Sequence, residues 1–396
     1  MASGAGAPEV LSRSDAGTGA RTGDDVGVLD QPTSPFDVDD AHGQPERVSP
    51  RSLTLSVGMM VTALLLAALV VLPVPYAISS PGPTRDVLGE HDGTPLIQVS
   101  GAETFDSTGE LRLTTVSGTG GPGFPSSTVG VIQGWLSPWA VVQPVEQLYP
   151  PDRTQDEIDE SNTAEMVSSQ ENAAVAALTE LGYEVPATLV VAGTVEGSDA
   201  EGKVEEADVI VALDGTPVPD YQGLIGLLGE VEAGQTVTLT VRRHGQPLDI
   251  PVVTTEKDDG SAQIGAFIDP AFDMPVDVTI SIDDIGGPSA GTMFALGIID
   301  KMTPEDEANG KDIAGTGTID VTGEVGPIGG IRQKLAGAVR DGATWFLAPA
   351  ANCDEVVDHV PDGLRVVKIA TLHEAREAIT AIGAGEADDL PTCSAG

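Results

Sequence analysis

The sequence predicts an α+β multidomain protein: a single N-terminal transmembrane helix followed by a folded part in which helices and short strands mix. Three observations carry this prediction. Leu53 to Leu72, LTLSVGMMVTALLLAALVVL, holds neither a charge nor a proline. Residues 187–255 alternate as strands, with Asp214-Gly215 and His244-Gly245 as turn chemistry between them. Residues 275–300 and 315–342 each read as strand, glycine-rich turn and helix.

A chain of 396 residues suits two or three domains with a sizeable core. Its net charge of −42, from 61 acidic and 19 basic residues, argues against nucleic acid and anionic membrane surfaces as partners, since phosphates need clustered Lys and Arg. Residues 1–50 are rich in Gly, Ala, Ser, Asp and Pro and cannot bury a core, so a disordered cytosolic tail is expected.

The anchor is assigned to residues 52–75. Twenty helical residues rise about 30 Å, the thickness of a hydrocarbon core. A cleaved signal peptide would carry a shorter apolar run nearer the N-terminus and a small-x-small cleavage site, neither of which is seen. Arg47 and Arg51 precede the run and only Arg85 follows at a distance, so the expected topology is single-pass in the cell membrane, N-terminus cytoplasmic and the rest exported. LPVPYAISSPGPT then reads as an extended proline-rich stalk.

Residues 84–186 combine short β-like runs (Leu96–Val99, Leu111–Val116) with a helix from Thr154 to Leu181, its start crowded with acids and its end marked by Gly182. The glycine-rich SGTGGPGFP lacks the Lys-Ser/Thr ending of a phosphate loop and reads as a turn; no P-loop occurs in the sequence, and no cofactor is expected. Cys353 and Cys393 both lie on the exported side, where disulfides persist, and a bridge between them would hold the C-terminal tail, residues 384–396. No Cys/His cluster suggests a metal.

Within residues 187–256, GSDAEGKVEEADVIVALDGTPV resembles the bacterial PDZ pattern, in which a Gly-Ser-x-Ala segment leads to a strand ending in Asp-Gly. The resemblance implies a small β-sandwich with helices that adds a peptide, usually a chain end, to its sheet edge. The family's carboxylate-binding loop maps near Leu181–Val185; a β-sandwich spacer without ligand is the other reading.

GGPSAG places Ser289 where a helix begins. Two readings stand open there: an N-cap serine on a closely packed helix, or a nucleophile beside backbone N–H groups able to hold an oxyanion. Further along, GTGTIDVTGEVGPIGGIRQKLAGAVRDG leads into a helix whose apolar arc is Ile331, Leu335, Ala338 and Val339. Lys334 falls at the edge of that arc, and Gln333 and Arg340 on the outer face. A lysine there loses hydration and its pKa falls, which suits a general base; a snorkelling surface lysine is the alternative.

Together, GGPSAG and GTGTIDVTGEVGPIGGIRQK, in that order, resemble the proteolytic domain of Lon over residues 270–383. The resemblance implies a Lon-type α/β domain with a Ser-Lys dyad: Ser289 as nucleophile, Lys334 as base, and Thr316 hydrogen-bonding the lysine amine. Gly287, Pro288, Ala290 and Gly291 would shape the approach to the serine. With an anchor and a PDZ-like stretch in place of an ATPase module, the chain is similar to the PDZ-containing Lon-like proteases of Gram-positive bacteria. That implies ATP-independent cleavage of unfolded or flexible envelope proteins, exposed chain ends taken by the PDZ domain, and a homo-oligomer. A histidine base would have to come from His91, His244, His359 or His373, none of which stands in a motif. Asp283-Asp284 reads as solvated loop charge. The competing functional class is a catalytically inactive membrane-tethered PDZ adaptor or oligomeric scaffold.

Overall fold

The computed structural model describes residues 49–91, 93–149, 153–257, 260–282 and 285–394; residues 1–48 of the expected tail and the Asp283-Asp284 pair lie outside the described residues. The chain divides into two units, Met1–Val61 and Thr62–Gly396. Helix α1 (Pro50–Val71) is uninterrupted, and its stretch Pro50–Ala68 is long and apolar enough to cross a membrane. The Ser49 hydroxyl accepts the Ser52 N–H at 3.2 Å, as a helix N-cap does.

After α1 come β1 (Pro73–Val74), β2 (Tyr76–Asp86), β3 (Ile97–Ser100), β4 (Glu110–Thr119) and β5 (Ser126–Ser127), then α2 (Thr128–Leu136) and β6 (Val141–Pro144). The proline-rich stretch expected as an extended stalk is mostly strand built into a sheet: β2 pairs antiparallel with both β4 and β6. The sheet accommodates its prolines. Pro81 and Pro83 lie where the β2–β4 register shifts and beyond the reach of β6, which pairs only with Tyr76–Ser79, so no ladder bond is asked of them.

Helix α3 (Gln155–Glu180) opens on a capping box in which Thr154 N–H donates to the Glu157 carboxylate at 2.7 Å and Glu157 N–H donates to the Thr154 hydroxyl at 3.3 Å. It stops at Gly182, whose φ of +85° is a left-handed conformation that glycine adopts without strain. A second antiparallel sheet follows: β7 (Ala187–Thr194), β8 (Val209–Leu213), α4 (Tyr221–Gly229), β9 (Thr236–Arg243), β10 (Gln246–Val253) and β11 (Ala266–Phe272), in spatial order β10–β9–β8–β7–β11. Its hairpin from β9 to β10 turns on His244 and Gly245, both at positive φ. Alternate residues Val237, Leu239 and Val241 enter a core of their own with Leu224 of α4.

Strand β12 (Asp277–Ile280) then returns to pair with β3, and α5 (Gly291–Met302), β13 (Asp312–Gly315), α6 (Ile331–Arg340), β14 (Trp345–Pro349), β15 (Arg365–Ile369) and α7 (Leu372–Ala384) complete the chain. One mixed sheet runs β15–β14–β13–β4–β2–β6. One core joins Leu111 and Leu113 of β4, Ala173 and Ala177 of α3, Phe294 and Leu296 of α5, and Ile379 of α7.

Residues 84–186, set apart by the sequence reading, thus share sheet and core with the C-terminal part. The physical reason is that β4 and α3 have too little apolar surface of their own to close a core. The β7–β11 sheet is consequently an insertion between α3 and β12 rather than a bead between anchor and C-terminal domain.

Cys353 and Cys393 are joined, closing a loop with a sequence separation of 40, and the Pro391 carbonyl nearby accepts the Lys368 N–H at 2.8 Å. Replacing both cysteines by serine removes a chain-entropy constraint worth about 4 kcal/mol. A lower thermal midpoint with the C-terminal segment open to limited proteolysis is expected; an unchanged midpoint would show that the bridge restrains nothing in the unfolded chain.

Candidate active site

Ser289 does not cap the helix it introduces. Helix α5 begins at Gly291 with Ala290 as its N-cap residue, and no side chain caps it. The chain arrives through Gly287, at φ +85°, whose N–H donates to the Asn162 carbonyl of α3 at 3.0 Å. The Pro288 carbonyl accepts the hydroxyl of buried Ser169, also on α3, at 3.0 Å. Gly291 leaves no room for a side chain: a Cβ there would stand 2.8 Å from both Ile319 Cγ2 and Ser169 Oγ. Ala290 is buried and its carbonyl accepts the Phe294 N–H.

Lys334 reaches the serine from α6, which starts at Gly330 in a left-handed conformation. It is only 2 % exposed, and its Nζ stands 2.7 Å from Ser289 Oγ and 2.8 Å from Thr316 Oγ1. Helical projection had put Lys334 at the rim of the apolar arc and Gln333 outside; both are buried. Projection fails because α6 packs on β2 and β4 and also on the helical turn Cys353–Val356, so more than one face is covered.

Burial alone lowers the Lys334 pKa, to about 7; no carboxylate contributes. The hydroxyls around it order its protons. Thr316 Oγ1 donates to the Ser289 carbonyl at 2.9 Å, so towards the lysine it acts as acceptor of an amine N–H. A neutral amine then has its lone pair free for the Ser289 hydroxyl proton. Thr316 itself is fully buried and its N–H donates to the Leu347 carbonyl at 3.2 Å, which fixes the loop after β13.

The loop that carries Ser289 supplies an oriented donor. A trans peptide sets C=O and N–H antiparallel, so Ser169 on the Pro288 carbonyl turns the Ser289 N–H away from α3. That N–H has no hydrogen-bond partner among the described residues.

A cavity of about 470 Å³ opens in front of the pair, lined by Ser289, Lys334, Ile285, Gly286 and Gly329, with Pro83 and residues Thr115, Val116 and Ser117 of β4 along one wall. Strand β13 pairs with β4 only as far as Leu113, so among the described residues the remainder of β4 has a free edge. Leu111 N–H and C=O engage Asp86 and Val87 on the β2 side, and the Ser117 carbonyl engages Ser80 there. By the two-residue period, Val116 and Gly118 direct their N–H and C=O to the open side. None of His91, His244, His359 and His373 lines this cavity.

The PDZ-like sheet corrects one expectation. Strand β7, which follows Leu181–Val185, is paired on both sides, with β8 and with β11, so that loop does not introduce a free edge. The outer strands of the sheet are β10 and β11, and β11 follows Gly265 at φ +68°. Where β11 ends, Phe272, Tyr183 and Tyr221 line a cavity of about 180 Å³ together with Val321.

Sequence reasoning did not find Ser169, Asn162 or the β4 edge. No local signal marks them: Ser169 sits in a polar helical run, and Thr115-Val116-Ser117 is an ordinary strand sequence until its neighbour stops short.

A half-buried serine, a buried lysine whose amine a threonine holds, and a strand edge beside them form a candidate site of the serine-hydrolase kind. The comparisons with known proteins say what these residues are similar to. Residues 274–381 match the family model of the Lon protease (S16) C-terminal proteolytic domain, and residues 163–254 match that of the PDZ domain. The chain is 34 % identical over 153 residues to Lon protease 2 of Syntrophobacter fumaroxidans, covering 38 % of this chain and 17 % of that protein. It is 32 % identical over 157 residues to Lon protease 1 of Sorangium cellulosum, again 38 % and 17 %. A solved PDZ domain of an SdrC-like protein from Listeria monocytogenes aligns at 18 % identity and TM-score 0.20, over 20 % of this chain and 86 % of that one. The chain spans less than a fifth of the length of these Lon proteases. It carries a Lon-type proteolytic domain and a PDZ domain.

The lowered lysine pKa has a consequence for stability. Between about 7 and the ordinary value of 10.5 the unfolded chain holds a proton on Lys334 that the folded chain has lost, so this residue's contribution to stability rises with pH across that window. Below it the full cost of burying the ammonium is present. Lys334→Met should therefore gain most relative to wild type below pH 7, with the gain shrinking towards pH 10.5. Denaturant melts at a series of pH values check this; a pH-independent gap would place the native pKa near that of the unfolded chain.

Proposed function

We propose that the chain is a membrane-anchored, ATP-independent serine endopeptidase that cleaves unfolded or flexible proteins outside the cytosol, with Ser289 as nucleophile and Lys334 as general base. The observation that carries the reading is the desolvated lysine amine 2.7 Å from Ser289 Oγ, in a cavity with room for a polypeptide. Lys334 takes the Ser289 proton as Oγ attacks the peptide carbonyl, and the Ser289 N–H receives the developing oxyanion. The resulting ammonium returns its proton to the leaving amine. Water, deprotonated by the same amine, then hydrolyses the acyl-enzyme.

Substrate lies extended along the open edge of β4, where Val116 and Gly118 offer main-chain hydrogen bonds and demand no particular side chain. An extended segment fits this edge and a folded one does not, which supports unfolded or flexible substrates. No P-loop occurs in the sequence, which supports ATP independence. The free edge of β11 beside α4 gathers exposed chain ends for the PDZ domain. Helix α1 crosses the cell membrane once, with Arg47 and Arg51 on the cytoplasmic side. Assembly into a homo-oligomer belongs to the same reading through the likeness to Lon.

Cleavage of an unfolded protein without ATP tests the proposal. Only the neutral amine is a base, so kcat/KM should rise as pH passes through about 7 and level off above it. Ser289→Ala and Lys334→Ala should each lose at least about 10³-fold. Cleavage that survives in Ser289→Ala would sink the reading.

Ser169→Ala should lower kcat by about tenfold, the worth of one hydrogen bond that orients the Ser289 peptide, and leave KM unchanged. Ser169→Thr, which keeps the hydroxyl, should recover most of the loss. Equal losses in both variants would point to packing instead.

A further inference from the structure

Helix α2 has Gln133 as its one polar side chain after Thr128, and yet only one face is covered. Val131 and Gly134 are buried, with Ile78 and Val142 closing on the Gly134 position. On the opposite side Val129, Ile132 and Leu136 form a stripe at i, i+3 and i+7, exposed by 40 %, 44 % and 80 %, beside Trp135 at 63 % and Phe124 at 69 %. A contiguous exposed apolar patch marks an interaction surface.

The connection to α1 says which surface. Helix α1 ends at Val71, β1 follows at Pro73, and β1 pairs with β5, whose Ser127 caps α2. Three extended residues cover at most about 10 Å. Trp135 also packs edge-on against Tyr76, the first residue of β2, with ring centroids 6.0 Å apart. Helix α2 is thus held at the root of the membrane-crossing segment.

Charge agrees. In a chain of net charge −42, no residue from Leu113 to Val145 is charged, and none from Ser52 to Thr84. A face that meets lipid must shed carboxylates, and tryptophan prefers the membrane–water boundary.

We infer that α2 is a second membrane contact, lying in the interfacial layer of the bilayer that α1 crosses, with Val129, Ile132, Trp135 and Leu136 among the acyl chains. It rests on the reading of α1 as a membrane span. The contact turns a single flexible attachment into a two-point one, and β2, which runs from α2's packing partner Ile78 to Pro83 in the cavity wall, is held at a set height above the membrane.

The test uses the full chain in liposomes whose acyl chains carry bromine near the headgroups. Helix α1 contains no tryptophan, so quenching reports on the folded part alone. With Trp139→Phe and Trp345→Phe, Trp135 is the sole reporter; it should be quenched, and adding Ile132→Asp should abolish the quenching while the protein still floats with the vesicles. Floating protein with an unquenched Trp135 overturns the inference and leaves the anchor reading intact. Should Trp135 be unquenched and Ile132→Asp dissolve an oligomer, a second copy of the chain covers α2 instead. Protein that fails to float removes the anchor reading, and this inference with it.

Discussion

Everything around the candidate site follows from keeping water and carboxylates away from one amine. A lysine at about 7 is held there by desolvation alone, in a chain with 61 acidic residues. A single carboxylate within hydrogen-bond reach would restore the ammonium and end its use as a base. The fold therefore gives Lys334 two hydroxyls as partners, which satisfy the amine without stabilising its charge as a carboxylate would. Helix α6 pressed between the sheet and the turn Cys353–Val356 supplies the burial.

That closeness is what the glycines around the site serve. Thr316 must present its hydroxyl to both Lys334 and the Ser289 carbonyl, so the chain on either side of it runs against the first turn of α5. A Cβ at Gly315 would lie 2.5 Å from Met293 Sδ, and one at Gly317 2.5 Å from Thr292 Oγ1. The Gly317 N–H meanwhile donates to the Ser289 carbonyl at 3.0 Å. Serine, threonine and lysine are thus fixed relative to one another by main-chain contacts that only small residues permit, and preorganisation of this sort lets an apolar pocket hold a polar cluster in one geometry.

How much of this the sequence carried depends on the range of the interaction. Ser289 and Lys334 were legible because each sits in a short pattern, GGPSAG or GGIRQK, whose turn chemistry and helical period are local. Thr316 was legible through the resemblance, since nothing about AGTG alone places a hydroxyl beside an amine. The burial of Gln333 was not, because projection describes one helix and not the second body packed on it. Nor was the strand character of the proline-rich stretch: its prolines fall at a register shift and an open edge, which only pairing reveals. Ser169 was hidden for the same reason, being more than a hundred residues from the carbonyl it holds.

The insertion of the PDZ domain gives that distance a physical meaning. Its first strand continues from α3, the helix whose Asn162 and Ser169 grip the serine loop, and its last strand leads through β12 towards that loop. Between them a small core joins Val175 and Leu178 of α3, Val185 at the entrance, Val276 at the exit, and Val321 from the region after Thr316. Gln222 of α4 also donates to the Val321 carbonyl at 3.1 Å. Coupling between sites requires an element whose position both can bias, not merely a path between them. Here the ends of the inserted sheet lean on Val175 and Leu178 of α3, and the serine loop on Asn162 and Ser169 nearer its N-terminus, so one helix supports both.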